Sequence, residues 1–300
     1  MVVERIFQAE MIKRHPCLIS AVAFLFVCIS VLLAVMTHSP PLGFFIIALT
    51  VMPAIPFFVR MTICEEKGEE MLVKFISAIP AKNFEAGKKG LVSLYNNLIK
   101  LYTYFFLGCV VGFAFTSSVI PGEYSKVVFS DIWQILSTTS TQPVDLSFWG
   151  IFSHNFQLML IMVFFSLVYS IGAIFLLVLN AAIIGVVVLG EGIRTVLPDL
   201  ASLGSLAYPS AFVIGSLEGI VRLLPHGICE FSGFFLASVA GGLFSVAIER
   251  KAYKRMPVFR RILLDVVKLL VLATLLLAAG AFIEAVLYPA LESMLPAFLK

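Results

Sequence analysis

From Phe152 to Leu189 nearly 40 residues run apolar, and shorter stretches of the same kind recur on both sides. Such runs have hydrocarbon as their natural solvent. About 30 Å of bilayer core, crossed by a helix rising ~1.5 Å per residue, calls for ~20 apolar residues. Hydrophobic residues make up 60% of the 300 and charged residues 13%, with mean hydropathy +1.04. So few charges could not cover a water-facing surface. The chain reads as an all-α, polytopic membrane helical bundle of six or seven spans in a single domain, 1–300. Soluble globular, disordered, collagen-like, coiled-coil and disulfide-scaffold classes are excluded.

The first span is expected at Cys17–Thr37, behind Lys13, Arg14, His15 and Pro16. Its apolar run is too long for a signal core and no small-residue cleavage site follows, so it reads as a retained anchor. Leu42–Val59 follows after a short Pro-containing connection, kinked or tilted at Pro53 and Pro56. Ile99–Ile120 carries Gly108 and Gly112 four apart, a spacing that permits close helix approach. The long apolar run divides into a span over about 152–176 and a shorter piece, 177–190, around Asn180, Gly185 and Gly190. That short, Gly-interrupted piece has the form of a re-entrant or broken helix, with one long tilted helix as the alternative. Spans over about 201–223 and 227–248 are separated by a break at Pro225-His226-Gly227, and Ile262–Leu287 is the last.

Lys and Arg set orientation. Between Arg60 and Lys100 there are seven basic and five acidic residues, and between Glu249 and Arg261 six basic and one acidic. Both segments are placed in the cytoplasm, with 60–98 as an amphipathic surface segment built on Met71, Leu72, Phe75, Ile76 and Ile79. The 121–150 segment, with Lys126 its sole basic residue and Trp133, Phe148 and Trp149 suited to the interface, is placed outside. The chain is therefore expected in the cell membrane, N-terminus cytoplasmic and C-terminus external. That topology requires 177–190 not to cross.

Net charge is +3, without a basic field for nucleic acid. The partners expected are membrane lipids and membrane proteins or further copies of the chain. The cysteines, at 17, 28, 64, 109 and 229, form no CxxC pair and read as free thiols.

Polar residues within late spans stand out, because charge in mid-bilayer costs ~2.5–3.5 kcal/mol on insertion scales. Glu218, Arg222, His226 and Glu230 follow at four-residue intervals. Chain direction places them, with His154, Asn155 and Glu284, at outer-leaflet depth. The candidate polar pocket is thus Asn155, Asn180, Arg222, His226, Glu230 and Glu284, with His154 and Glu218 secondary. Glu230 is expected within reach of His226, Arg222 or Asn155. A metal site would draw on His226 and Glu230 with His154 or Glu284, but HExxH is absent, and neither metal nor cofactor is expected. No GxSxG elbow supports a serine hydrolase.

Asn155 within His-Asn-Phe, Asn180 with Gly185, Pro225-His226-Gly227-Ile228-Cys229-Glu230, the small-residue run Ala237–Gly242 and Ile283-Glu284 together resemble the stage II sporulation protein M family. Ala181 stands where the family has glycine. The resemblance covers roughly 90–287. It implies a polytopic helical fold and a polar site at His226 and Glu230, and supplies no reaction. The family's namesake is associated with a membrane complex that remodels cell wall during engulfment. A non-enzymatic scaffold or assembly partner is the first functional reading, a transporter or channel for an ion or small solute the second, and an intramembrane enzyme the third.

Overall fold

The computed structural model describes residues 17–37, 42–59, 62–63, 95–141, 147–169, 172–249 and 251–287. It is 96% helical, and no strand occurs among the described residues. Eight stretches of helix are long and apolar enough to cross a membrane. The amphipathic reading of 60–98 falls almost wholly outside the described residues.

The helices are α1 (Cys17–Thr37), α2 (Leu42–Val59), α3 (Asn96–Val119), α4 (Gly122–Val128), α5 (Ser130–Thr141) and α6 (Phe148–Tyr169). They are followed by α7 (Ala173–Val196), α8 (Ala207–Glu249) and α9 (Met256–Leu287). In α1 the buried positions Ile19, Ala23, Val27, Val31 and Ala34 repeat at helical spacing, while Leu25, Ile29, Leu32 and Met36 face outward. That is the division expected of a span with protein on one side and lipid on the other. In α2 the winding tightens to a 3-10 turn at Met52–Ala54, around Pro53, and the helix continues to Val59.

Contacts fix the relative directions. Ser20 Oγ donates to the Tyr104 carbonyl at 2.7 Å, and Gly112 faces Phe24 and Val27, so α1 and α3 run parallel. Gly108 and Gly112 do make a close seam: a Cβ on Gly108 would lie 2.7 Å from Ser20 Cα. Gly185 packs on Val110 and Phe113, and Gly190 on Ser117, which makes α7 parallel to α3. Gly192 meets Gly215, and Gly219 meets Val188 and Leu189, so α8 returns. Ser166 faces Gly241 and Ser245 Oγ donates to the Leu167 carbonyl at 3.2 Å, so α6 runs with α8. Gly233 lies against Ala273 and Leu277, and Phe244 against Phe259, so α9 runs opposite to α8. Phe58 meets Tyr102 while Gly43 meets Asp131 beyond the end of α3, so α2 opposes α3. The described helices run as seven passages when the stretches Pro198–Val221 and Leu223–Glu249 are taken as one.

Three details differ from the sequence reading. First, the piece at 177–190 belongs to α7, 24 residues long and parallel to α3. Its irregularity is π-helical winding over Ile183–Gly190 rather than a break. The glycines that suggested interruption are contact points. Second, Pro225 lies inside α8, which is continuous for 43 residues. A proline here removes one N–H bond, and neighbouring helices tolerate it in an apolar surround. The two stretches expected on either side of Pro225-His226-Gly227 are each apolar enough to span, and they belong to one continuous helix. Third, the polar segment 121–150 contains α4 and α5. Asp131 of α5 caps α2, its Oδ2 accepting from the backbone N–H of Gly43 at 2.9 Å and of Phe44 at 3.4 Å.

Candidate functional site

Three helices bring polar side chains together beside Pro225. His226 and Glu230 lie one turn apart on α8, so they share a face. Glu284 arrives from the π-wound end of α9, and Asn155 from the second turn of α6. The amide Nδ2 of Asn155 donates to Glu230 Oε1 at 2.6 Å, and both residues are buried. One ligand-capable atom each from His226, Glu230 and Glu284 lies within 4.8 Å of the others. The Nδ1 of His226 is buried without a hydrogen-bond partner. Neither carboxylate has a Lys or Arg partner among the described side chains.

The fold explains this convergence. The Ser166–Gly241 and Gly233–Leu277 contacts draw α6 and α9 close to α8. On α9, Gly280 faces Glu230, leaving its side chain room.

The other candidate residues lie elsewhere. His154 is exposed, one position from Asn155 and on another side of α6. Asn180 is half-buried on α7. Glu218 is exposed on α8, eight residues before His226 and so ~12 Å away along the axis. The seven side chains therefore do not share one depth. The side chain of Arg222 is not among those described.

A second polar knot had no counterpart in the sequence reading. Arg194 of α7 donates to Glu191 Oε1, to the Ser117 carbonyl at the end of α3, and to Ser125 Oγ of α4 at 2.6 Å. The available sequence signal was an arginine three residues after a glutamate at the end of an apolar run. A third knot joins Tyr95, Asp265 and Lys268: Tyr95 Oη donates to Asp265 Oδ2 at 3.4 Å and Lys268 Nζ to Oδ1 at 3.3 Å.

On another face of α8 lies a groove of about 460 Å³. Its walls are apolar side chains of α3, α7 and α8, among them Phe106, Val110, Ile184, Leu223 and Phe231.

No curated protein and no solved structure matches the chain at a significant level. The family model described as stage II sporulation protein M matches residues 101–289, which take in the whole of the Asn155/His226/Glu230/Glu284 cluster. This multi-pass membrane chain, matched over more than half its length, belongs to the stage II sporulation protein M family.

Proposed function

We propose that the protein is a non-enzymatic scaffold of the cell membrane that assembles partner proteins, with its polar cluster held toward the outer leaflet. One observation carries this reading: the polar side chains of the bundle connect helix to helix. Asn155 joins α6 to α8, Ser20 joins α1 to α3, Ser245 joins α8 to α6, and Arg194 joins α7 to α3 and α4. Such bonds are each worth only ~0.6–2 kcal/mol in membranes, yet they fix register, and glycine seams bring the backbones into contact. The product is a rigid surface, which suits assembly. The six basic residues of the Glu249–Arg261 segment, which lies at the end where α1 begins, favour a cytoplasmic side for that end.

The test is chemical crosslinking of the full chain in its native membranes, followed by affinity capture in mild detergent. Stoichiometric membrane-protein partners are expected. A chain that is captured alone, and that passes ions or small solutes when reconstituted in liposomes, would establish the transporter reading instead.

A further inference from the structure

We propose that His226, Glu230 and Glu284 form a binding site for one divalent transition-metal cation of the zinc type, with Asn155 holding Glu230 in place. The proposal goes beyond the scaffold role and stands or falls separately. Partner capture tests one, and metal content the other.

Donor chemistry comes first. One imidazole nitrogen and two carboxylate oxygens are the ligand types that zinc accepts, in a set of three protein ligands with a further position open. The ligand atoms lie within 4.8 Å of one another. Tetrahedral bonds of ~2.0–2.2 Å place ligand atoms ~3.4 Å apart. Closing that gap takes little more than 1 Å, roughly what rotation about the Glu and His side-chain bonds supplies.

Charge comes second. Two carboxylates face each other among apolar helices, with no Lys or Arg paired to either among the described side chains. A dication with two carboxylates and a neutral imidazole is electrically neutral, which is the form a low-dielectric interior accepts.

The state of the individual groups comes third. Nδ1 of His226 is buried with its hydrogen-bonding capacity unused, and a buried polar atom left in that state ordinarily has a reason. Glu230 is oriented by a hydrogen bond from Asn155 at 2.6 Å, the kind of outer support that ligating carboxylates receive. Gly280, having no side chain, lets Glu230 lie directly against α9. The three ligands come from α8 and α9, and Asn155 ties in α6, so an ion here would clamp three helices. Cys229, although next to Glu230 in sequence, lies outside the ligand group.

The experiment uses the purified full-length protein in detergent, stripped with chelator and reloaded with Zn²⁺. Elemental analysis after desalting is expected to find one ion per chain. Zn²⁺ should raise the unfolding temperature of the stripped protein where Mg²⁺ does not. Glu284→Gln and His226→Gln should each lower affinity at least ~10-fold, and Cys229→Ser should leave it unchanged. Absorption spectroscopy at the zinc edge should show nitrogen and oxygen neighbours without sulfur. The wild-type measurements need no variant to fold. Stripped wild-type protein that takes up no Zn²⁺ would overturn the proposal. So would sulfur ligation, or full affinity in the folded Glu284→Gln and His226→Gln variants.

Discussion

Gly280 stands across from Glu230 so closely that a Cβ at position 280 would lie 2.7 Å from the Glu230 Cγ. The last helix accommodates the carboxylate by having no side chain there. Gly280→Ala must therefore displace Glu230 or separate α9 from α8. Overpacking of this kind costs about 1–3 kcal/mol, and the expected outcome is a lower unfolding temperature in detergent. An unchanged unfolding temperature would show that α9 yields at this point.

Asn155→Leu removes the donor and leaves Glu230 Oε1 buried against an apolar group. An unsatisfied buried acceptor costs about 1–3 kcal/mol. Asn155→Asp, which brings a third carboxylate to the cluster, is expected to be worse than Asn155→Leu. Thermal unfolding of the two variants beside wild type checks the order, and equal stability of all three would contradict the bond as drawn.

Glycine substitutions separate contact glycines from idle ones. At Gly215 a Cβ would lie 2.6 Å from Ile193 Cα, and at Gly192 it would lie 2.7 Å from the Gly215 carbonyl oxygen. A Cβ on Gly122 meets nothing within 4 Å. Gly192→Ala and Gly215→Ala should each destabilise by about 1–3 kcal/mol. Gly122→Ala, in the first turn of α4, should be neutral or stabilising by up to ~1 kcal/mol. The comparison is read from unfolding temperatures and from yield of monodisperse protein.

Sidedness has a direct check. In a background with the native cysteines replaced, single cysteines at Tyr124 and Tyr253, which are 70% and 46% exposed, report on opposite ends of the bundle. Tyr124→Cys should react with an impermeant maleimide on intact cells and Tyr253→Cys only after permeabilisation. Reaction of Tyr253→Cys on intact cells would invert the proposed orientation.

What could be read from the sequence, and what could not, divides along a physical line. Hydrophobic length locates spans because hydrocarbon thickness is nearly constant, so α1, α2, α3 and α9 fall close to their expected places. The i, i+4 spacing of His226 and Glu230 is legible because helix geometry is local. Chain direction brings Asn155 and Glu284 to the right level, but it brings His154 and Glu218 there as well, and only the packing of α6 and α9 on α8 separates them. Glycine in an apolar run has no such unique reading: Gly185 and Gly190 suggest an interruption by propensity, yet in the fold they are where α7 touches α3. Pro225 likewise suggests an end of helix by a rule formed in water, and α8 passes through it. These two departures offset each other. One passage gained at α7 and one lost at α8 leave the basic Glu249–Arg261 segment at the same end of the bundle. Arg194 and Asp131 were not legible because their partners, Ser117 with Ser125 and the start of α2, are distant in sequence.

The length of α8 has a consequence for the lipid. Its 43 residues measure ~64 Å, about twice the hydrocarbon depth. In the register set by Asn155 with Glu230 and Ser166 with Gly241, α6 begins level with Leu223. Above that level α8 runs on beside α7. Only 17% of the apolar window in Pro198–Val221 is buried, against 78% in Leu223–Glu249, and Val213, Leu217 and Val221 are turned outward. The bilayer thus meets a tall hydrophobic flank along α7 and α8 and a short one along α6. Acyl chains must stretch on one side and splay on the other, or the whole body must lean, at a cost of fractions of a kcal/mol per Å. In a nanodisc reconstruction the lipid belt should be visibly thicker on the α7–α8 side. A protein of this shape is expected to set the thickness of its own lipid surround.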